Sequence, residues 1–310
     1  MKLFSKIYIN HISIPVLLLL TFVGFAQQDA QYTQYMYNTM SVNPGYAGQR
    51  DVLSITALYR SQWVGIDGAP ETQTLGIHAP FSNDRMGWGI SIVNDVLGPS
   101  NETQIDGNFS YSIYLKDNSF TELTFGVKAG IHFLNSDWSK GNFQFPDNAY
   151  QDNLDLKSPI IGAGIYLHND SWYLGFSVPN FLTTEHFDEV SFSAAAERLH
   201  YFIIGGYVFE LNSNLRFKPA FLTKIVSGAP IIADVSANFL IKEKLTLGLA
   251  YRWDDSVNAL VGFQITPAIN VGYAFDYTTT PLKRYNSGSH EVMLRFELFK
   301  NNRFLSPRFF

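Results

Sequence analysis

Gln104-Ile105-Asp106-Gly107-Asn108-Phe109-Ser110-Tyr111-Ser112-Ile113-Tyr114-Leu115 is the stretch that decides the fold. Its odd positions carry Ile105, Gly107, Phe109, Tyr111, Ile113 and Leu115. Its even positions carry Gln104, Asp106, Asn108, Ser110, Ser112 and Tyr114. Side chains on a β-strand point alternately to opposite faces, so this segment has one apolar face and one polar face. Fourteen segments of this kind follow one another: 51–60, 70–79, 86–95, 102–115, 120–134, 158–168, 171–179, 199–210, 213–224, 230–241, 244–253, 257–266, 268–277 and 290–299. In an exported chain such repeats imply an all-β protein, a transmembrane antiparallel β-barrel of about 14 strands, with lipid outside and water inside.

The export signal comes first. Lys2 and Lys6 precede the apolar run Ile14 to Phe25, and Gly24 and Ala26 provide small residues before a cut after Ala26. The apolar run is shorter than the roughly 20 residues that a spanning helix needs, so residues 1–26 read as a cleaved signal peptide rather than an anchor. The chain of 310 residues contains no Cys, which excludes a lipidated Cys and any disulfide framework. A net charge of −5 argues against nucleic acid as a partner. Aromatics make up 15% and charged residues only 16%, a poor composition for a water-facing surface. Glycine is frequent and falls inside the strand-like segments. A large β-sandwich also alternates, but no linker divides the chain, and charge is scarce on one face of nearly every strand.

The expected organisation is a signal peptide (1–26), an N-terminal periplasmic or plug segment (27–48), an outer-membrane barrel (49–300) and a carboxy-terminal tail (301–310). The segment 27–48 does not alternate. Tyr32, Tyr35, Met36 and Met40 recur at spacings of three and four, which suits one face of a short helix ended by Asn43-Pro44-Gly45. These four residues are candidates for a plug in the barrel mouth or lumen; a disordered lead-in is the alternative. In the later strands the lipid-facing sets are Leu245, Leu247, Leu249, Tyr251 and Trp253; Ile269, Val271, Tyr273, Phe275 and Tyr277; and Val292, Leu294, Phe296 and Leu298. Their partner faces carry Thr246, Arg252, Asn270, Asp276, Glu291, Arg295 and Glu297. A charge on the lipid face near mid-bilayer costs a few kcal/mol, so Lys128, Arg216, Lys218, Arg252 and Arg295 belong in the lumen with Asp106, Asp234 and Asp276.

Connection lengths form a second period. Short turns are expected at Pro80–Arg85, Lys116–Ser119, Asn169–Asp170, Leu211–Asn212, Lys242–Glu243 and near Pro267. Longer connections are expected at 61–69, 96–101, 135–157, 180–198, 225–229, 254–256 and 278–289. Short periplasmic turns alternating with longer outer loops is the layout of an outer-membrane barrel, and an even strand count puts both termini on the periplasmic side. Trp63, Trp172, Trp253 and Tyr277 lie near segment ends, where aromatic girdles form.

No catalytic motif is evident: no nucleophile elbow, P-loop, dinucleotide fingerprint or zinc-type His spacing. Ser289-His290-Glu291 places a hydroxyl, an imidazole and a carboxylate in succession, but neighbours on a strand face opposite ways. Asp137, Asp147, Asp152 and Asp155 share a loop without a calcium-loop spacing and read as a solvated loop. No metal, cofactor or enzymatic activity is expected. A lumen of about 14 strands holds more than side chains, which keeps a small-molecule channel or transporter as the alternative function.

Several islands resemble the PorP/SprF family of type IX secretion outer-membrane proteins. Gln31-Tyr32-Thr33-Gln34-Tyr35-Met36-Tyr37-Asn38 followed by Asn43-Pro44-Gly45-Tyr46-Ala47-Gly48 resembles its opening signature, with Gly45 where Ala is more usual. Arg60-Ser61-Gln62-Trp63-Val64-Gly65 with Gly68-Ala69-Pro70 comes next, then His200-Tyr201-Phe202 with Gly206-Tyr207, Gly228-Ala229-Pro230, and Tyr251-Arg252 with Asp255-Ser256. Gly288-Ser289-His290-Glu291 and Ser306-Pro307-Arg308-Phe309-Phe310 close the series. The resemblance implies a component of the type IX secretion and gliding machinery, held in the outer membrane and surrounded by its lipid. It implies that the protein assists export or surface attachment of a secreted surface protein, such as a large adhesin, through that partner's C-terminal sorting domain, together with other secretion components. Exposed aromatics make good interface anchors, so Trp63, Asp67, Trp138 and Phe143 in the outer loops are the candidate partner-binding residues; a girdle role is the alternative for the tryptophans. The 306–310 tail reads as a contact for periplasmic machinery or as an assembly signal.

Overall fold

The computed structural model describes residues 31–82, 85–115, 121–140, 153–182, 199–226 and 229–298. The expected signal peptide and its cut, the carboxy-terminal tail, and the loop residues Phe143, Asp147 and Asp152 lie outside the described residues.

Alternation produces strands wherever it was expected. They are β1 (Leu53–Ser61), β2 (Glu71–Pro80), β3 (Met86–Leu97), β4 (Ser100–Tyr114), β5 (Glu122–Ser136), β6 (Leu154–His168), β7 (Trp172–Val178), β8 (His200–Tyr207), β9 (Phe209–Asn212), β10 (Leu215–Val226), β11 (Ile232–Ile241), β12 (Leu245–Arg252), β13 (Ser256–Thr266), β14 (Ile269–Thr278) and β15 (Ser289–Leu298). Each pairs antiparallel with its neighbours. β8 and β9 both pair with β10 and form one stave interrupted at Val208. β1 pairs with β2 on one side and β15 on the other, which closes the sheet into a barrel of 14 staves. Closure leaves no spanning edge whose N–H and C=O groups would meet hydrocarbon. Among the described residues no helix is long and apolar enough to cross a membrane.

The barrel is polar inside and apolar outside. On β4, Ile105, Phe109, Tyr111 and Ile113 are exposed while Asp106, Asn108, Ser110 and Ser112 are buried in the interior. Leu247, Leu249, Tyr251, Tyr273, Tyr277, Val292, Leu294, Phe296 and Leu298 are likewise exposed, opposite buried Arg252, Asp276, Glu291, Arg295 and Glu297. Lys128, Lys218, Asp106 and Asp234 are buried as well. Arg216 sits near a turn, half-buried between Glu210 (3.4 Å) and Glu243 (3.7 Å). Trp253 and Tyr277 project from strand ends, where an aromatic ring suits an interface.

One end of the barrel carries the connections 81–85, 115–121, 169–171, 213–214, 242–244 and 267–268, together with the start of β1 and the finish of β15. This is the turn end. The other, the loop end, carries 62–70, 137–153, 179–199, 227–231, 253–255 and 279–288. The expected loop at 96–101 is instead a tight hairpin: β3 runs to Leu97 and β4 starts at Ser100. Gly98, with φ +56°, makes this turn possible, and its N–H donates to the Gly68 carbonyl at 2.9 Å.

If the outward face meets lipid, Val127→Arg, which lies outward on β5, lowers barrel stability by about 2–4 kcal/mol. Denaturant unfolding of the protein refolded in lipid vesicles measures this. Wild-type stability of the variant would show that this face does not contact hydrocarbon.

Candidate functional site

The barrel interior is occupied by the chain's own N-terminal segment. Tyr32, Tyr35, Met36 and Met40, expected to share one helical face, are all buried, with Tyr37, Val42, Tyr46 and Ala47 in the same apolar cluster. The helix itself is shorter than expected. Among the described residues of the segment only α1 (Thr39–Val42) is α-helical, followed by a single 3-10 turn, Pro44–Tyr46, where Asn43 Oδ1 accepts from the Gly45 N–H at 2.9 Å. Residues 33–37 form turns closed by i→i+3 bonds, the Tyr37 N–H donating to the Gln34 carbonyl at 2.9 Å and the Asn38 N–H to the Tyr35 carbonyl at 3.1 Å, while the Thr33 and Gln34 N–H groups donate to the two Glu291 oxygens at 3.0 and 2.7 Å.

Those bonds belong to a buried ionic cluster near the loop end. Arg60 Nη1 donates to Asp276 at 2.7 Å and to Glu291 at 3.2 Å. The Thr33 hydroxyl donates to Asp276 at 2.7 Å, and Arg252 reaches Asp234 at 3.3 Å and Asp255 at 3.2 Å. Two guanidiniums thus face three buried carboxylates, and the segment's own N–H groups satisfy the oxygens of Glu291.

The segment then descends through the barrel. Arg295 donates to the Tyr37 carbonyl at 2.8 Å and lies over the Tyr37 ring. Asn38 donates to Thr74 at 3.2 Å. Lys128, itself 3.3 Å from Asp106, donates to the Ser41 carbonyl at 3.0 Å. Ser177 donates to the Val42 carbonyl at 2.9 Å and Ser110 to the Ala47 carbonyl at 2.7 Å. At the turn end, Gln49 Nε2 donates to Ser112 at 3.2 Å and Gln49 Oε1 lies 2.5 Å from His168 Nε2, while Arg50 pairs with Glu297. Burial alone would lower the Arg50 pKa; the adjacent Glu297 carboxylate and the Tyr46 hydroxyl together outweigh that and raise it.

Inward-facing strand glycines make the space. A Cβ on Gly126 would lie 2.1 Å from the Gly45 nitrogen, one on Gly87 2.1 Å from the Ala47 carbonyl oxygen, and one on Gly89 2.3 Å from Met40 Sδ. On Gly164 it would meet Asn43 Oδ1 at 2.2 Å, and on Gly272 Gln34 Oε1 at 2.3 Å. Glycine inside a strand is weakening by itself and marks a close backbone approach. The sequence showed the glycine excess in the strands; nothing in it linked those glycines to residues 34–47.

The candidate loop residues are placed apart. Trp63, in the left-handed region at φ 49°, donates its N–H to Ser289 Oγ at 3.1 Å; its neighbour Val64 exchanges backbone hydrogen bonds with Gly288 and Ser287. The β1–β2 and β14–β15 loops are thereby stitched together, with Asp67 and Tyr285 exposed on them. Trp138 is half-buried in a separate loop, its N–H donating to Asn153 at 3.1 Å. Ser289 and Glu291 face inward while His290 faces outward, 2.7 Å from the Tyr273 hydroxyl, so the Ser-His-Glu succession forms no triad. Among the described residues no group of His, Asp and Glu side chains is arranged to hold a metal.

A closed barrel with an apolar exterior and a charged, filled interior defines an outer-membrane-type β-barrel protein. The family model described as type IX secretion system membrane protein PorP/SprF matches residues 24–296, and the chain belongs to that family. A search of curated proteins returns no match. Among solved structures it is similar to the CymD monoaromatic hydrocarbon channel, at 11% identity and TM-score 0.51, covering 91% of this chain and 96% of that one. It is also similar to the Acinetobacter baumannii outer membrane protein Omp33, at 9% identity and TM-score 0.42, covering 80% and 98%. At such identities the likeness concerns the fold alone.

If the glycines exist to admit the segment, Gly126→Ala costs about 1–3 kcal/mol through overpacking and exposes residues 31–49 to protease. Gly107→Ala, where the nearest atom to an added Cβ is 3.9 Å away, is close to neutral. Equal stability and equal proteolysis of the two variants would show that the fit is incidental.

Proposed function

We propose that this protein is a non-enzymatic barrel of the type IX secretion and gliding machinery, plugged by its own N-terminal segment, that assists export or surface attachment of a secreted protein carrying a C-terminal sorting domain. The observation that carries this reading is the filled interior: residues 31–49 are bonded to the wall from the loop end to the turn end, in a chain of the PorP/SprF family. A protein so filled works through its surfaces rather than by conduction. The loop end is the side expected to face outward, because long loops in such barrels are external. The stitched loops bearing Trp63 and Asp67, with Trp138 nearby in sequence to the loop carrying Phe143, are the proposed contact region for the client. Other secretion components meet the turn end, and lipid surrounds the wall. A cleaved signal peptide at 1–26 delivers the chain.

In planar bilayers the intact protein is non-conducting, and deletion of residues 31–49 gives steady conductance. Steady conductance of the intact protein would overturn the plugged reading in favour of a small-molecule channel. Affinity purification from solubilised membranes retrieves a surface protein with a type IX sorting domain. Trp63→Ala lowers its retention about tenfold, about 1.4 kcal/mol, as expected of an aromatic anchor. Undiminished retention by that variant would remove Trp63 from the interface, and retrieval of no such protein would sink the client-binding role.

A further inference from the structure

The direction in which the N-terminal segment runs is set by bonds to strands whose own directions are known. Its C-terminal part lies at the turn end: Gln49 bonds Ser112 and His168, the latter being the last residue of β6, and Arg50 pairs with Glu297, next to the last residue of β15. Its middle part, Ser41 to Asn43, bonds Lys128, Ser177 and the Ile165 carbonyl, within the wall. Its first part lies near the loop end. Thr33 bonds Glu291, the third residue of β15, and Asp276, which pairs in register with Ser289, the first. Arg252, the last residue of β12 before the 253–255 connection, also donates to the Thr33 hydroxyl at 3.4 Å. Three levels of contact thus give one monotonic path along the whole interior.

We infer that the chain enters its barrel from the loop end, so that Gln31, where the described path begins, lies on the same side as the loops carrying Trp63 and Tyr285. An even number of staves places the start of β1 and the finish of β15 together at the turn end. The amino terminus does not share that position: the segment before β1 crosses the interior and reverses it. One consequence follows from geometry: the start of the segment lies beside the loops proposed to face the client, while Glu291, Arg295 and Glu297 of β15 hold the segment at three heights.

The inference rests on the proposed outward orientation of the loop end, and the test separates the two. The chain has no Cys, so single cysteines report cleanly. Ala30→Cys is compared with two reporters at positions exposed in the structure, Tyr285→Cys at the loop end and Asn212→Cys at the turn end. Cells are treated with a membrane-impermeant maleimide before and after permeabilisation, and heat-modifiable gel mobility confirms that each variant forms the barrel. Ala30→Cys labels on intact cells together with Tyr285→Cys, while Asn212→Cys labels only after permeabilisation. Labelling of Ala30→Cys in step with Asn212→Cys, or in neither condition, overturns the inference. If Asn212→Cys were the one labelled on intact cells, the orientation would be reversed, and Ala30→Cys following Tyr285→Cys would still establish the entry point.

Discussion

Glu291 is the point on which the interior depends. Its carboxylate receives two backbone N–H groups of the N-terminal segment and one guanidinium N–H of Arg60, and it sits on the strand that closes the barrel. A charge wholly removed from water is tolerated only where hydrogen bonds and opposite charge replace its hydration. Here the segment supplies part of that replacement. Without residues 33 and 34, the loop-end cluster would hold carboxylates lacking their donors; with them, the segment is anchored in one register. The Arg50–Glu297 pair repeats the arrangement at the turn end, so both ends of the segment are held by β15.

The outside and inside of the barrel obey opposite rules. Lipid solvates the exposed Val, Leu, Phe and Tyr side chains and offers no drive to bury them, while strand backbones pair between neighbouring staves. Cohesion inside therefore comes from polar groups that satisfy one another and from close packing of a few apolar side chains. The interior glycines belong to that economy. They give up side-chain packing within the sheet, and the backbone of Pro44, Gly45 and Ala47 approaches where a methyl group would collide. A water-filled pore has no need of such a fit.

The strand pattern was legible almost throughout. β4 can be read residue by residue, and alternation alone assigns the charges of β12, β14 and β15 to the interior. The misses have local causes. The 96–101 connection was too long because Gly98 permits a turn that polarity alone does not reveal. The expected N-terminal helix is too long because its apolar spacing is real but residues 34–38 close i→i+3 turns, with Gln34 held by Glu291, 257 positions away. The Tyr and Met residues that the spacing groups together are buried in one cluster, and the glycines beside them are counted in the sequence without being connected to them. Arg60 and Glu297 were visible as residues on strands, with no sign of the partners they hold.

What the sequence determined by itself is the alternation, and with it the number of staves, their two faces and the family to which the chain belongs. A period of two is a property of neighbouring residues, and a resemblance is carried by short islands, so both survive in one dimension. The tertiary structure alone decided what fills the barrel and in which direction it runs. That outcome depends on contacts between the first segment and strands spread around the entire circumference. No local spacing records which end of a closed cylinder a chain has entered.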